Sequence, residues 1–390
     1  MARRLAPGSA AVALPGGTGA VWSVLDARAM TLRPTFALLL LLTACDGGAA
    51  LLDAATPPDA SADAGPPDAR AAFDPSAVRF DPATPEGDGP WGLWGTLVAR
   101  VDDRQAYVVG GTNVGRLGGE VFADVWRVSA GETLTAERVE ATGPAPRYCG
   151  CAAWDPDRER LLVYGGRDLA VNAFDPETWE LVPAGPTWTR IEGATQHATT
   201  LGCAMGYARG AMYLFGGANG SGVSAALHRF DAAAGAWVEV ATDGPVARYD
   251  AALFPAPDGD ALYLFGGSVG ARGRAFYADL WRLDPETNSW TELALPEGPG
   301  GRRTPWVSWD PTGAGLYVGF GYDGEMRPIG DLFHADLEAL TWTELEVPFE
   351  GPSPRGFSYA LPGGPGALAS VVGGSGVSAP VTDAWRLIAD

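Results

Sequence analysis

One short pattern recurs six times along this 390-residue chain and limits the folds that the chain can adopt. The pattern is a short apolar run that ends in glycines, as in Ala-Leu-Tyr-Leu-Phe-Gly-Gly at 261–267. Its last glycine returns every 50 to 55 residues, at Gly111, Gly166, Gly217, Gly267, Gly321 and Gly374. Such runs are typical of buried β-strands, and the glycines suit a backbone that bends sharply or packs closely. A fixed period of this length indicates a repeat architecture.

Two further markers keep the same period. Upstream, Gly-Pro-x-x-Arg opens at Gly143, Gly244, Gly298 and Gly351, in each case 23 residues before the last glycine of the strand. Downstream, two aromatic residues stand nine apart, as Trp179 with Trp188, Trp281 with Trp290 and Phe333 with Trp342. A period near 50 with four short strands in each unit predicts an all-β, six-bladed β-propeller over residues 72–390.

These markers resemble the kelch-repeat family, whose repeat carries a double glycine after a hydrophobic strand and an aromatic residue downstream. The resemblance covers roughly residues 76–390 and implies a kelch-type propeller. The last repeat stops at its third strand, 383–387, which would leave an exposed sheet edge in the ring. We therefore predict that the N-terminal strand completes the last blade, with Ala77 to Phe80 pairing with Ala384 to Leu387.

The first 71 residues predict export and anchoring. A single arginine and a brief apolar run precede Leu-Thr-Ala-Cys at 42–45, which resembles a bacterial lipobox. We therefore interpret 30–44 as a lipoprotein signal peptide and Cys45 as the lipidated residue. Residues 1–29 are then a mis-called extension, and 45–71 a disordered tether rich in Ala, Asp and Pro. The predicted location is the bacterial cell envelope, at the outer membrane or cell surface, with the periplasmic side as the alternative.

One residue in each repeat is expected to open the innermost strand and to face the channel mouth. Aligned by period, these residues are Leu93, Arg147, His197, Arg248, Arg302 and Arg355. They would form a cationic ring suited to an acidic peptide, protein or glycan, and related kelch domains use mouth arginines for acidic partners, as the resemblance implies. Arg303 is an additional arginine with no equivalent in the other repeats. The alternative is a scaffold role, in which the arginines pair with a repeated acid, at Asp124, Glu177, Asp279, Asp331 and Asp383.

Loops between the second and third strands supply further candidate ligand-binding residues. These are Arg116, Arg272, Arg274, Tyr277 and Arg327, for which the alternative is a simple solvated loop position. The net charge of −20 argues against nucleic acid, because phosphate backbones require clustered cations. We expect a monomer.

The four cysteines predict one disulfide and no metal centre. With Cys45 lipidated, either Cys149 or Cys151 would reach Cys203, and we name Cys151–Cys203 while the connectivity stays open. No Cys or His pair has zinc-like spacing, so neither a metal nor a cofactor is expected.

Two functions are compatible with this sequence. The first is a membrane-anchored, non-catalytic module that binds a ligand or a protein outside the cytoplasm. The alternative is an exported enzyme that acts on a sugar acid, similar to the kelch sialate mutarotases, in which an arginine would hold the carboxylate and a nearby Glu or Asp would move protons. No catalytic constellation is visible in the sequence, and we therefore prefer the binding module.

Overall fold

The computed structural model describes residues 73–390 except 116–117, 169–172, 175, 193–199, 241–242, 271–273 and 349. In this part of the chain the regular structure is β-strand, arranged as six antiparallel sheets that we number as blades 1 to 6, with two short additional hairpins. No helix in it is long and apolar enough to cross a bilayer. The predicted anchor and tether lie outside the described residues.

The first three blades follow the repeat in order, from the innermost strand outward. Blade 1 consists of Leu97–Arg100, Gln105–Val109, Val125–Ala130 and Leu134–Arg138. Blade 2 consists of Cys151–Asp155, Arg160–Tyr164, Thr178–Val182 and Thr187–Arg190. Blade 3 consists of Ala204–Ala208, Ala211–Phe215, Leu227–Asp231 and Ala236–Val240. The additional hairpins are Arg167–Asp168 with Ala173–Phe174, and Ala218–Asn219 with Gly222–Val223.

The remaining blades have the same order, except that the last one is built from both ends of the described chain. Blade 4 consists of Ala252–Pro255, Leu262–Phe265, Leu280–Asp284 and Ser289–Leu293. Blade 5 consists of Trp306–Trp309, Gly315–Gly319, Leu332–Asp336 and Thr341–Leu345. Blade 6 consists of Tyr359–Pro362, Ala369–Val372, Ala384–Ala389 and, outermost, Val78–Ala83.

The closing strand confirms the predicted pairing of the two chain ends. Val78–Ala83 runs antiparallel to Ala384–Ala389, with Phe80 opposite Leu387. The strand begins one residue later than predicted and continues three residues further. Beyond it, Pro85–Glu86 pairs in parallel with the outermost strand of blade 1, so the N-terminal segment joins blade 6 to blade 1.

The hydrophobic core is divided into six clusters, each between two neighbouring blades. The pairs of blades are 1 and 2, 2 and 3, 3 and 4, 4 and 5, 5 and 6, and 6 and 1. Since every interface buries large side chains, including Trp237 and Trp306 at 1% exposure, the ring is closed by apolar packing on all sides.

The repeated Gly-Pro motif is explained by the tryptophan of the outermost strand. A Cβ atom added to Gly143, Gly244 or Gly298 would lie 2.2 to 2.5 Å from the nearest indole atom, which belongs to Trp188, Trp290 or Trp342 respectively. Only glycine leaves room for the indole, and the motif and the downstream aromatic residue are therefore two halves of one contact.

A disulfide joins the inner edges of blades 2 and 3. It connects Cys151 to Cys203, whose Cα atoms are 5.6 Å apart, and Cys149 is a free, buried thiol. Of the two pairings left open by the sequence, the structure contains the one that leaves Cys149 available to the channel.

Candidate functional site

The repeated arginines lie inside the sheets. Four of them are buried, with only 0 to 2% of each residue exposed: Arg147, Arg248, Arg302 and Arg355. In each, Nε donates a hydrogen bond to the carbonyl oxygen two residues earlier. Nη1 donates one to the carbonyl oxygen of the residue that directly follows the second strand of the blade, which is Gly165, Gly266, Phe320 or Gly373.

Three of these guanidinium groups also bind the repeated acid in bidentate fashion. Arg302 donates to both carboxylate oxygens of Asp331 at 2.5 and 2.9 Å, and Arg248 donates to those of Asp279 at 2.6 and 2.8 Å. Arg355 holds Asp383 in the same way. This is the arrangement that the scaffold alternative predicts. The cationic ring expected at the mouth is therefore not formed by these residues, because their donors are already bound inside the blades.

The alignment of blade 3 was wrong by three residues. The amide of Gly166 donates to the carbonyl of Thr200 at 2.9 Å, as the amide of Gly217 does to that of Arg248, so Thr200 occupies the equivalent position. His197 lies outside the described residues. Two of the three residues are explained by the inner hairpin of blade 3, which turns in two residues, Arg209 and Gly210, both with positive φ, whereas the inner hairpin of blade 2 turns in four.

A narrow ring of backbone lines the channel two residues beyond the buried arginines. It is formed by one residue from each blade, all with φ between +52° and +64°: Gly95, Cys149, Gly202, Asp250, Thr304 and Phe357. Each of four carbonyls accepts a hydrogen bond of 2.7 Å from the amide of the next member, namely those of Gly95, Cys149, Gly202 and Asp250. The amide of Phe357 donates instead to Oγ1 of Thr304 at 3.0 Å. Four of the six are not glycine, and such left-handed backbone is often found at functional sites.

This ring surrounds a cavity of about 160 Å³ at the centre of the propeller. Cys149, Asp250 and Thr304 line it together with Thr96 and Ser358. The hydroxyl oxygens of Thr96 and Ser358 are buried, and neither has a hydrogen-bonding partner among the described residues. A buried polar atom without a partner is costly, so these hydroxyls are suited to a ligand that can donate or accept hydrogen bonds.

Aromatic side chains form a rim above the cavity. Trp94 contacts Tyr148 and Phe357 with ring centroids 5.5 and 5.3 Å apart, and Phe357 contacts Tyr322 at 5.9 Å. Trp94, Tyr148 and Tyr249 occupy equivalent positions, each immediately before a member of the backbone ring. We call Trp94, Tyr148, Tyr249, Tyr322 and Phe357 the aromatic rim.

Arg303 is the cation of this rim. Its Nη2 lies 2.6 Å from Oδ2 of Asp250, its Nη1 donates to the Tyr249 hydroxyl at 3.0 Å, and its guanidinium carbon lies 4.9 and 5.5 Å from the ring centroids of Tyr249 and Phe357. The side chains of Arg303 and Asp250 are 12% and 6% exposed. Burial raises the pKa of Asp250, although Arg303 opposes this effect.

The pKa of the Cys149 thiol depends on the charged residues around the channel. Burial raises the pKa of its thiol well above the ordinary value, and the Asp250 carboxylate adds to this increase, while Arg303 and Arg167 oppose it. Arg167 follows the double glycine of blade 2, the position that Tyr322 occupies in blade 5. Arg167 was not predicted as a site residue, although its place directly after the repeated glycines was a visible signal.

The loop candidates are not gathered into one site. Tyr277 covers a buried arginine, with the guanidinium carbon of Arg248 4.1 Å from its ring centroid. Arg327 is 72% exposed and pairs with Asp323 at 2.8 Å, and Arg274 is exposed. Arg116 and Arg272 lie outside the described residues. In the described residues no group of three or more His, Cys, Asp or Glu side chains is arranged to hold a metal ion.

Comparison with known proteins gives a consistent family match. A family model described as the KLHDC2/KLHL20/DRC7 Kelch-repeats domain matches residues 95–308. The human Rab9 effector protein with kelch motifs is 30% identical over 45% of this chain and 46% of its own length. Kelch domain-containing protein 10 of Xenopus tropicalis is 26% identical over 66% of each chain, and the human protein is 27% identical over 64% of this chain and 60% of its own. The chain thus spans between about half and two thirds of these relatives.

Proposed function

Because this chain belongs to the kelch-repeat family, we propose that it is a non-catalytic binding module whose ligand enters the channel through the aromatic rim. Propellers of this family are common protein-binding modules. The rim combines a flat aromatic surface, one buried guanidinium group and a polar floor, which are the elements of a selective binding pocket.

The proposed ligand carries an acidic group and is an acidic peptide, protein or glycan. Two cations, Arg303 and Arg167, act on the buried Cys149 thiol and lower its pKa, while Asp250 raises it. At a largely buried site a guanidinium group attracts a carboxylate or sulfate more strongly than it would in water. These two cations stand out in a chain whose net charge is −20.

The observation that carries the proposal is the pair of buried hydroxyls without partners, Thr96 and Ser358, at the floor of a cavity whose rim holds Arg303. The alternative enzyme would need a carboxylate free to transfer a proton. Asp250 is the carboxylate among the described residues that line the cavity, and it is paired with Arg303. Nothing in this geometry favours the alternative.

The proposed location is the bacterial cell envelope, with the propeller attached through a lipid on Cys45 and separated from the membrane by the tether, residues 45–71. The support is the sequence alone: the apolar run, the small residues before Cys45 and the Ala, Asp and Pro content of the spacer. Metabolic labelling with a radioactive or alkyne-bearing fatty acid tests this location, because Cys45→Ser is expected to abolish incorporation.

The ligand for this test is an acidic peptide or glycan selected on an array. Removing the rim cation is expected to weaken its binding by about 10- to 100-fold, which is the usual effect of losing a charged hydrogen bond. The variant is Arg303→Met combined with Asp250→Asn, so that no unpaired carboxylate is left buried. Arg327→Ala, which removes an exposed arginine, should leave the affinity unchanged. Equal affinity of the Arg303 variant and the unaltered chain, measured by titration calorimetry, would remove the rim from the proposal.

The Cys149 thiol provides an independent test of ligand position. Because alkylation requires the thiolate and burial raises the pKa of this thiol, we expect iodoacetamide to modify it at least about tenfold more slowly at pH 7 than an exposed thiol. A saturating acidic peptide should slow the reaction further, as measured by mass spectrometry of the peptide that contains Cys149. If the peptide binds without changing this rate, its site lies away from the channel floor.

A further inference from the structure

A second cavity, of about 480 Å³, lies among the turns of the inner hairpins of blades 1 to 4. It is a different cavity from the one around Cys149, because the two have no lining residue in common. Its walls include Trp154 and Tyr207, two aromatic side chains that are only partly buried, and the rigid residues Pro156, Pro255 and Pro257. A preformed cavity with aromatic walls is typical of ligand-binding sites.

The polar lining of this second cavity is mostly acidic. Asp157, Asp258 and Asp260 line it, and all three are exposed. The lining also contains Arg209, whose Nη2 lies 3.2 Å from Asp260 and whose Nη1 lies 3.4 Å from Glu286, and Arg100, which pairs with Asp103 at 2.9 Å. Both cations are thus matched by carboxylates, and Asp157 and Asp258 remain as an excess of negative charge.

Tyr207 is sensitive to the same negative potential. Burial raises the pKa of its phenol, and Asp157 and Asp155 raise it further, while Arg158 opposes them. Trp154, on the neighbouring blade, stacks on Tyr107 with an interplanar angle of 25° and a centroid separation of 5.6 Å, which holds the indole in place. An organic cation is attracted both by aromatic faces and by carboxylates.

We propose that this second cavity binds a basic segment of a partner protein, with an arginine or lysine side chain placed against Trp154 and Tyr207 and paired with Asp157 and Asp258. A cationic side chain is complementary in charge to this acidic cavity and fits its aromatic walls. The propeller would then bind ligands of opposite charge at two separate sites, an acidic one at the aromatic rim and a basic one here.

The test uses the purified full chain and a fluorescein-labelled peptide of alternating glycine and arginine, with binding followed by fluorescence anisotropy. Asp157→Asn combined with Asp258→Asn is expected to weaken binding by about tenfold or more. The matched control is Glu239→Gln with Glu292→Gln, which makes the same charge change on exposed outer strands of blades 3 and 4 and should leave the affinity within about twofold.

Several outcomes distinguish this proposal from general attraction to an acidic protein. Equal weakening in the aspartate pair and the control pair would mean that net charge alone binds the peptide, and the proposal would be overturned. Trp154→Leu should weaken binding by about three- to tenfold while both aspartates remain, as expected from the loss of one cation–π contact, and an unchanged affinity would contradict the placement of the side chain. The Arg303→Met variant should retain full binding of this peptide, which separates the second cavity from the aromatic rim.

Discussion

Arg302→Ala is expected to lower the free energy of unfolding by about 3–5 kcal/mol, although the sequence alone suggested this arginine as a ligand-binding residue. The guanidinium group is 1% exposed and binds three places at once: Gly300, the carbonyl of Phe320 and both oxygens of Asp331. Truncation removes the donor from the partly buried carboxylate of Asp331, from the buried carbonyl of Phe320 and from the carbonyl of Gly300. A buried charge that loses its partner is among the most destabilising changes in proteins.

Chemical denaturation followed by tryptophan fluorescence measures this loss. The control is Arg327→Ala, which breaks an exposed ion pair and should cost less than about 1 kcal/mol. Arg302→Ala with Asp331→Ala should be less destabilising than the sum of the two single variants, because each removes the same interaction. A loss below about 1 kcal/mol for Arg302→Ala, with normal folding, would show that the repeated arginine is not a scaffold element.

The periodic part of the fold could be predicted from the sequence because equivalent residues make the same contacts in several repeats. The spacing between Gly298 and Trp342 reflects one steric contact, and the spacing between Arg302 and Asp331 reflects one ion pair. An interaction that recurs in several blades leaves the same residue types at the same intervals. The last blade was predictable for a related reason, since an unfinished sheet exposes backbone groups that another strand can satisfy.

Of the proposed binding site only Arg303 could be predicted from the sequence, because the site consists of positions at which the repeats differ. At the position after the repeated arginine the chain has Tyr249 in one blade and Arg303 in the next, and one residue later it has Asp250 and Thr304. No interval marks such residues. Charge was a misleading guide, since Arg248, Arg302 and Arg355 pair with carboxylates inside the sheets. Arg303, which has no equivalent in the other repeats, lies at the rim.

Blade 3 shows how a local turn can disturb a prediction based on period. Its altered opening motif suggested His197 for the mouth, whereas Thr200 occupies the position. The two-residue turn at Arg209 and Gly210 shortens the inner hairpin, and positive φ at both residues is typical of such turns. Counting backwards from the double glycine therefore places the wrong residue in the ring.

Phe80→Ala is expected to destabilise the propeller by about 3–5 kcal/mol, the usual range for truncation of a buried phenylalanine. Phe80 is 8% exposed, lies opposite Leu387 in the closing strand and contacts Phe320 of blade 5 edge-to-face at 6.0 Å. The residue thus connects the outermost strand of the last blade to the neighbouring blade, and its loss weakens the packing of the strand through which the two ends of the described chain meet in one sheet. Differential scanning calorimetry should show a lower melting temperature.

The control for this variant is Arg79→Ala in the same strand, whose exposed ion pairs with Asp81 and Asp390 should contribute less than about 1 kcal/mol. Deleting residues 72–84 removes the whole strand and exposes the edge of Ala384–Ala389, so unfolding should become broader as blade 6 separates from the cooperative unit. A deletion that melts as sharply and at the same temperature as the full chain would contradict the role of this strand in closing the ring. Because each blade packs only against its neighbours, a propeller without the closing strand has two terminal blades that are each less well supported. The deletion should therefore lower the free energy of unfolding by more than the loss of any single exposed contact.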